Sequence, residues 1–375
     1  MIYILYILFF TVLFLHEKGY IGFELRKRTF YFGSFFFIAL FAFRGENVGG
    51  DTYEYCRYFM GKLSSTYGIL GDNENIEIGF QWFCMLMNRI CKTPFFFIFT
   101  SSILSLLPFI LLVKRYSSMP NLTYFYILCS NFMNYVVNIE THIRQNISGA
   151  FIMMALLLFL QNGIKWNNKK NFVAILSFCV VAVYSHTTSY VLLPLLIIII
   201  LVPFKKIYSI SMIVVAVIIS LVFVDTITNL FVGLNFMLNP YEELGNITRY
   251  IESDTYGTSN KVLRLTHSLP IAFWTIYNVY KADDEENNNI FIKCMVIGTV
   301  VSIACGSFGM VFRMVFLYQL LGCVYIPKKI AQDKRALFVN LIPYVYLFYR
   351  IIVMVASSSN YDTDTHLLPY NFIWE

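Results

Sequence analysis

The chain has 375 residues, of which 58% are hydrophobic and 13% charged, with a mean hydropathy of +0.64 and a formal net charge of +6. A water-soluble domain carries about 25% charged residues, so these proportions exclude a surface that water alone could solvate. The basic residues sit in short clusters between apolar runs, which is the pattern of membrane orientation and not of nucleic-acid binding.

A helix needs about 20 apolar residues to cross a bilayer. The first candidate span lies near 2–15; it lacks a basic leader and a small-residue cleavage site, and so reads as a retained span. The second lies near 29–43. From Arg44 to Thr93 no full span is expected. Within that region Ile76 to Cys91 is apolar enough for a short helix, but counting it as a span would move Lys114 and Arg115 to the side opposite the other basic clusters. It is therefore read as an interfacial or re-entrant helix.

Further spans are expected near 94–113, 121–138, 143–161, 172–185, 188–202 and 207–224. The stretch Asp225 to Lys261 is a second non-spanning region, with a surface helix expected over Thr226 to Leu238. The last spans fall near 262–280, 290–308, 310–327 and 336–356. The expected fold is thus an all-α integral membrane protein: a single polytopic helical bundle over residues 1–375, of about 12 spans, with two larger extracytoplasmic loops near 44–93 and 225–261. Neither a tandem nor an inverted repeat is visible.

Orientation follows from Lys18 with Arg26–Arg28, Lys114/Arg115, Lys165 with Lys169/Lys170, Lys205/Lys206, Lys281, and Lys328/Lys329 with Lys334/Arg335. All of these clusters fall on one side of the alternation, which is assigned to the cytoplasm. Both termini, the two long loops and the connections at Glu140–Arg144, His186 and Gly309 then face outward. The eight cysteines show neither a CxxC pair nor metal-ligand spacing. Most lie in apolar runs (Cys129, Cys179, Cys294, Cys305, Cys323) and read as small buried hydrophobes.

That outer face collects polar residues that short membrane loops do not require. The second span ends in Arg44-Gly-Glu-Asn-Val-Gly-Gly-Asp51-Thr52-Tyr53-Glu54-Tyr55, and Glu140-Thr141-His142-Ile143-Arg144-Gln145 joins the fourth span to the fifth. The sixth ends in Tyr184-Ser185-His186-Thr187, and the eleventh begins Phe308-Gly309-Met310-Val311-Phe312-Arg313. An arginine at the hydrocarbon edge needs an anionic partner or water. Arg44, Arg144 and Arg313 recur at one membrane level, which points to a shared anionic ligand. Taken singly, an arginine here snorkels to headgroups, a histidine caps a helix junction, and Gly49-Gly50 makes a turn.

These residues resemble the EpsG-like proteins, a branch of the Wzy-type polysaccharide polymerases. The segment from Arg44 to Tyr55 is similar to the family's "R…vGtDt..Y" signature after the second span. Glu77-Ile-Gly79-Phe80, Ile143-Arg144-Gln145, His186-Thr187, Arg249-Tyr250, Phe312-Arg313 and Pro369-Tyr370 follow in order. One departure is Gly50, where the family usually has threonine; it sits in a turn.

The resemblance implies a glycosyltransferase-C-like membrane enzyme of the bacterial inner membrane that joins undecaprenyl-pyrophosphate-linked oligosaccharide repeat units on the outer face. A flippase and a chain-length regulator would be its partners, beside membrane lipid. A pyrophosphate leaves without a proton, so arginines suffice to stabilise it, and Arg44, Arg144, Arg313 and Arg249 are the candidates. The acceptor hydroxyl needs a base. Asp51 is preferred, as it lies on a loop able to reach over the headgroup, and His186 is the other candidate. Tyr53, Tyr55, Tyr250 and Tyr370, with Gln145, could hold sugar rings, although an interfacial aromatic belt uses tyrosines equally well. No cofactor and no metal site is expected. A lipid-linked oligosaccharide flippase is the rival of another class; a ligase-type glycosyltransferase would share the same arginine logic and differ in acceptor.

Overall fold

A computed structural model describes residues 2–18, 23–61, 76–130, 139–162, 169–222, 261–304 and 309–332. Helices are the only regular elements among them. They divide into two compact units, with the described residues up to Pro194 in the first and those from Leu195 in the second.

The first unit contains α1 (Ile2–Lys18), α2 (Phe23–Ala42), α3 (Thr52–Phe59), α4 (Ile78–Ile90), α5 (Pro94–Tyr116), α6 (Pro120–Ser130), α7 (Ile143–Asn162), α8 (Lys169–Ser185) and the start of α9 (Ser189–Leu201). Local chemistry sets several of these boundaries. Pro94 opens α5, and the Thr93 hydroxyl accepts the Phe96 N–H at 3.3 Å, satisfying one of the free donors of the first turn. α3 turns Thr52, Tyr55, Cys56 and Phe59 inward, at i, i+3, i+4 and i+7.

Contacts between helix ends set the direction of each helix in this unit. Phe97, in the first turn of α5, packs with Phe59, Phe80, Ile143 and Ile147, so α5 and α7 begin at the same end. α2 finishes there too, with Phe43 against Phe95 and Phe99. At the opposite end Lys114 donates to the Tyr31 hydroxyl at 2.9 Å, and Glu17 accepts the Asn121 N–H at 3.0 Å. Asn162 donates to Asn171 at 3.1 Å across the turn from α7 to α8. That opposite end carries the exposed basic residues Arg26–Arg28, Lys114, Arg115, Lys169 and Lys170. α1, α2 and α5–α8 therefore run alternately between two ends of the unit.

α4 explains why 76–91 resists a reading from sequence. Its N-terminal side meets the end of α8, and its last residue precedes the start of α5 by only four positions. Both ends of α4 therefore lie at the same end of the unit, as an interfacial or re-entrant helix requires. Its outward face is apolar, with Ile78, Trp82, Met85, Leu86 and Ile90 exposed.

The second unit contains the rest of α9, then α10 (Lys206–Val222), α11 (Lys261–Lys281), α12 (Asp284–Asn287), α13 (Ile290–Ala304), α14 (Gly309–Gly322) and α15 (Ile326–Gln332). α13 packs against α10, α11 and α14. The segment after α9 is tied to the residues following α12 and to the first turn of α13: Lys293 donates to the Val202 carbonyl at 2.7 Å, and the Phe204 N–H donates to Asn288 at 2.8 Å.

Both units bury small polar side chains among apolar ones and turn apolar side chains outward. Ser101, Ser102, Ser105, Asn146, Ser148, Ser185 and Ser189 are buried in the first, and Thr275, Asn278, Thr299, Ser302 and Gln319 in the second. Meanwhile Leu8, Val12, Phe35, Val173, Leu176, Ile207, Val215 and Ile218 are exposed. Small hydroxyl side chains let helices approach closely and bond across one another, as Thr275 and Thr299 do at 2.8 Å. Exposed apolar faces of this extent need a lipid surrounding.

α5 and α7, of 23 and 20 residues, are long and apolar enough to cross a membrane by themselves. α9, α10 and α13 are apolar but shorter. The expected spans near 2–15, 29–43, 94–113, 143–161, 172–185, 188–202, 207–224 and 262–280 fall on α1, α2, α5 and α7–α11. Those near 121–138 and 290–308 are described in part, as α6 and α13, and the one near 310–327 falls on α14, which ends at Gly322 in a turn before α15. The span expected at 336–356 and the surface helix at 226–238 lie outside the described residues.

Candidate functional site at the end of the first unit

The chain leaving α2 is fastened before it turns into α3. Arg44 is 1% exposed, and its guanidinium donates to the Phe41 carbonyl, to the Ser102 hydroxyl at 3.1 Å and to the Glu140 carbonyl at 3.0 Å. Thr52 donates to the same Glu140 carbonyl at 2.9 Å. Gly49 has φ of 92°, and a Cβ there would lie 2.8 Å from that oxygen, so the position needs glycine for conformation and for space. The loop is thereby pressed against the turn before α7. Asp51, directly before α3, makes no capping bond with its side chain. Its carboxylate is 31% exposed and 3.7 Å from His142 Nδ1.

One helical turn later, Tyr55 enters the packed aromatic floor formed with Phe59, Phe80 and Phe97. Burial pushes its phenol up to about 12, against the opposing pull of Arg144, so it is protonated at neutral pH. Its oxygen accepts from Arg144 Nε at 3.1 Å, and the guanidinium carbon stands 5.5 Å from the ring centre.

Glu77, directly before α4, bridges two further elements. One carboxylate oxygen accepts from Arg144 Nη1 at 2.7 Å, and the other lies 2.5 Å from His186 Nδ1 and 3.3 Å from the Thr187 N–H. Burial alone would raise this carboxyl, but the hydrogen bond with His186 and the Arg144 charge outweigh it and hold Glu77 well below the usual carboxylate range. Gly79 makes the approach possible, since a Cβ there would lie 2.6 Å from the Tyr184 carbonyl at the end of α8. The Glu-Ile-Gly spacing thus has a steric reason.

Four separate elements deliver this constellation: α3 brings Tyr55, the segment before α4 brings Glu77, α7 brings Arg144 and the α8–α9 junction brings His186. Two polar edges are left over among the described residues. Arg144 Nη2 and His186 Nε2 make no hydrogen bond there, and the two side chains are 16% and 20% exposed. An edge of guanidinium beside a free imidazole nitrogen and a nearby carboxylate can receive an anion and a hydroxyl together.

Comparison with protein families bears directly on these residues. The EpsG family model matches residues 27–372, which includes every element of the site. The chain belongs to the EpsG family. EpsG proteins are Wzy-like polysaccharide polymerases, so this is a helical membrane protein of polysaccharide biosynthesis. Comparison with curated proteins and with solved structures finds no match.

In this EpsG-family chain, packing brings together Arg144, Tyr55 and His186, with Asp51 one turn from Tyr55. Within the first unit it sets Arg44 and Tyr53 apart from this group. Arg44 lies in the interior, holding carbonyls. Gln145 is buried in the first turn of α7, while Tyr53 is 43% exposed on the outer side of α3, its ring 5.8 Å from the Arg57 guanidinium. Arg313 lies on α14 in the second unit, with its side chain outside the described residues, as are Arg249, Tyr250 and Tyr370. One member of the constellation was absent from the sequence-based set, Glu77. Glu77 was legible only as an acid at the head of an apolar helix, inside one of the family's short marks.

Proposed function

We propose that this EpsG-family protein joins undecaprenyl-pyrophosphate-linked oligosaccharide repeat units on the outer face of the bacterial inner membrane. The growing chain passes from its lipid carrier to a sugar hydroxyl of the next unit. The observation that supports this most directly is the Arg144–Tyr55–Glu77–His186 constellation at the end of the first unit opposite the cluster of Arg26–Arg28, Lys114, Arg115, Lys169 and Lys170. Basic ends favour the cytoplasm, which sets this constellation and both termini outside.

The chemistry fits the groups present. The acceptor oxygen attacks the anomeric carbon while the bond from that carbon to the pyrophosphate oxygen breaks, leaving its electron pair on the phosphate. Arg144 offers Nη2 to that developing charge. Tyr55 beneath it and Glu77 beside it hold the guanidinium plane. The hydroxyl proton goes to a base, for which Asp51 and His186 are both within the site. A single displacement inverts the anomeric centre. A flippase would supply the lipid-linked units and a chain-length regulator would set their number. A ligase would use the same leaving-group machinery on a different acceptor.

The test is purified protein in nanodiscs with a synthetic lipid-linked repeat unit, followed over time on a gel. Arg144→Ala should lose about 100- to 1000-fold in rate, the cost of one oxyanion-type stabiliser. Arg144→Lys should recover little, because a point charge replaces a planar fork. Near-wild-type ladders from Arg144→Ala, at equal protein level, would refute the assignment.

A further inference from the structure

We infer that Glu77 is a positioning residue that makes His186, and not Asp51, the proton acceptor of the reaction proposed above. The inference rests on that reading of the site and adds the direction of proton flow.

The geometry dictates the tautomer. An ionised carboxylate only accepts hydrogen bonds. The Glu77 oxygen 2.5 Å from His186 Nδ1 therefore requires the proton on that nitrogen. In the neutral ring the lone pair is then on Nε2, which makes no hydrogen bond among the described residues. The same Glu77 oxygen takes the Thr187 N–H at 3.3 Å, so the carboxylate is oriented by the backbone it faces. Its other oxygen holds Arg144. One carboxylate thus sets the base and the leaving-group cation at a fixed separation, and it stabilises the imidazolium that forms when Nε2 takes the hydroxyl proton. That proton then leaves to water, restoring the neutral ring. Asp51 is placed differently: its carboxylate faces His142, and among the described residues nothing holds it toward Arg144.

Two histidine-centred measurements with Glu77→Gln decide this. The amide donates or accepts at Nδ1, so it no longer selects a tautomer. With ¹⁵N-histidine labelling, five histidines give five pairs of ring-nitrogen signals, and His186→Ala identifies one pair. The wild type should show that ring protonated at Nδ1, and Glu77→Gln should show a mixture or the reverse. In the polymer assay Glu77→Gln should lower kcat by about 100- to 10,000-fold, the range of general-base assistance. KM for the lipid-linked unit should change little, and Glu77→Asp should restore part of the rate.

Full activity in Glu77→Gln would overturn the inference. So would an inactive Glu77→Gln whose His186 tautomer is unchanged, because Glu77 would then act through Arg144 or folding alone. A His186→Ala variant that polymerises normally would overturn it as well. If wild-type protein polymerises no lipid-linked unit, the polymerase reading falls instead, while the tautomer measurement still judges the Glu77–His186 pair.

Discussion

Glu77 in the first unit and Glu286 in the second are electrostatic twins with different surroundings. Each is a mostly buried carboxylate between two basic side chains, and each is held at about 2 because those partners outweigh the penalty of burial. At Glu286 both partners are lysine ammonium groups. Lys329 is 8% exposed, bonded to one carboxylate oxygen at 2.5 Å and to the Lys281 carbonyl at 3.2 Å, and Lys328 takes the other oxygen at 3.1 Å. At Glu77 the partners are a planar guanidinium and an imidazole, each presenting a further nitrogen beyond the carboxylate. A depressed carboxyl therefore does not mark a site. What separates the two clusters is partner chemistry: lysine ammonium groups only donate, whereas the imidazole beside Glu77 offers a nitrogen that can accept a proton.

The comparison breaks if the two clusters respond alike to mutation. The largest contrast is expected between Arg144→Ala, with its loss of about 100- to 1000-fold in polymer formation, and Lys329→Ala, which should leave kcat within a few-fold of wild type. A smaller effect belongs to Gly79→Ala. Its new Cβ meets the Tyr184 carbonyl, so α4 must move from the end of α8 and carry Glu77 with it. Overpacking of this kind costs about 1–3 kcal/mol. A lowered melting temperature in detergent should accompany a loss of activity. Asp51→Asn should cost only a few-fold in rate on the same gel, and a loss as deep as that of His186→Ala would return the proton to Asp51.

Acid titration sharpens the likeness of the two carboxylates. For each, the folded-state value lies below the ordinary 4.5. The stabilising contribution is thus fully present above about pH 4.5 and is lost as pH falls toward 2. Melting temperature should decline over that window, and Glu77→Gln and Glu286→Gln should each flatten the decline. The smallest effect is expected at Lys328, which is 48% exposed. Lys328→Ala should change stability by about 0–1 kcal/mol, as half-solvated ion pairs do.

The sequence by itself determined the solvent, the helical class and the ordering of the polar connections. Those properties come from local composition: apolar runs must meet lipid, lipid enforces helices, and clustered lysines and arginines mark one side. It also brought Arg144, His186 and Tyr55 to notice, because polar residues at helix ends are conspicuous against an apolar background. Only the tertiary structure decided what surrounds each of them. Arg44 and Arg144 read alike in the chain, yet one is buried against carbonyls and the other keeps an exposed edge, a difference set by what α5 and the turn before α7 place around them. The path of α4 depended on Gly79 fitting against the end of α8, a contact between residues over 100 positions apart. Glu77 was the least legible of all. A single acid before an apolar helix has no pattern to announce it, and its meaning appears only when folding sets α7 and the α8–α9 junction on either side of it.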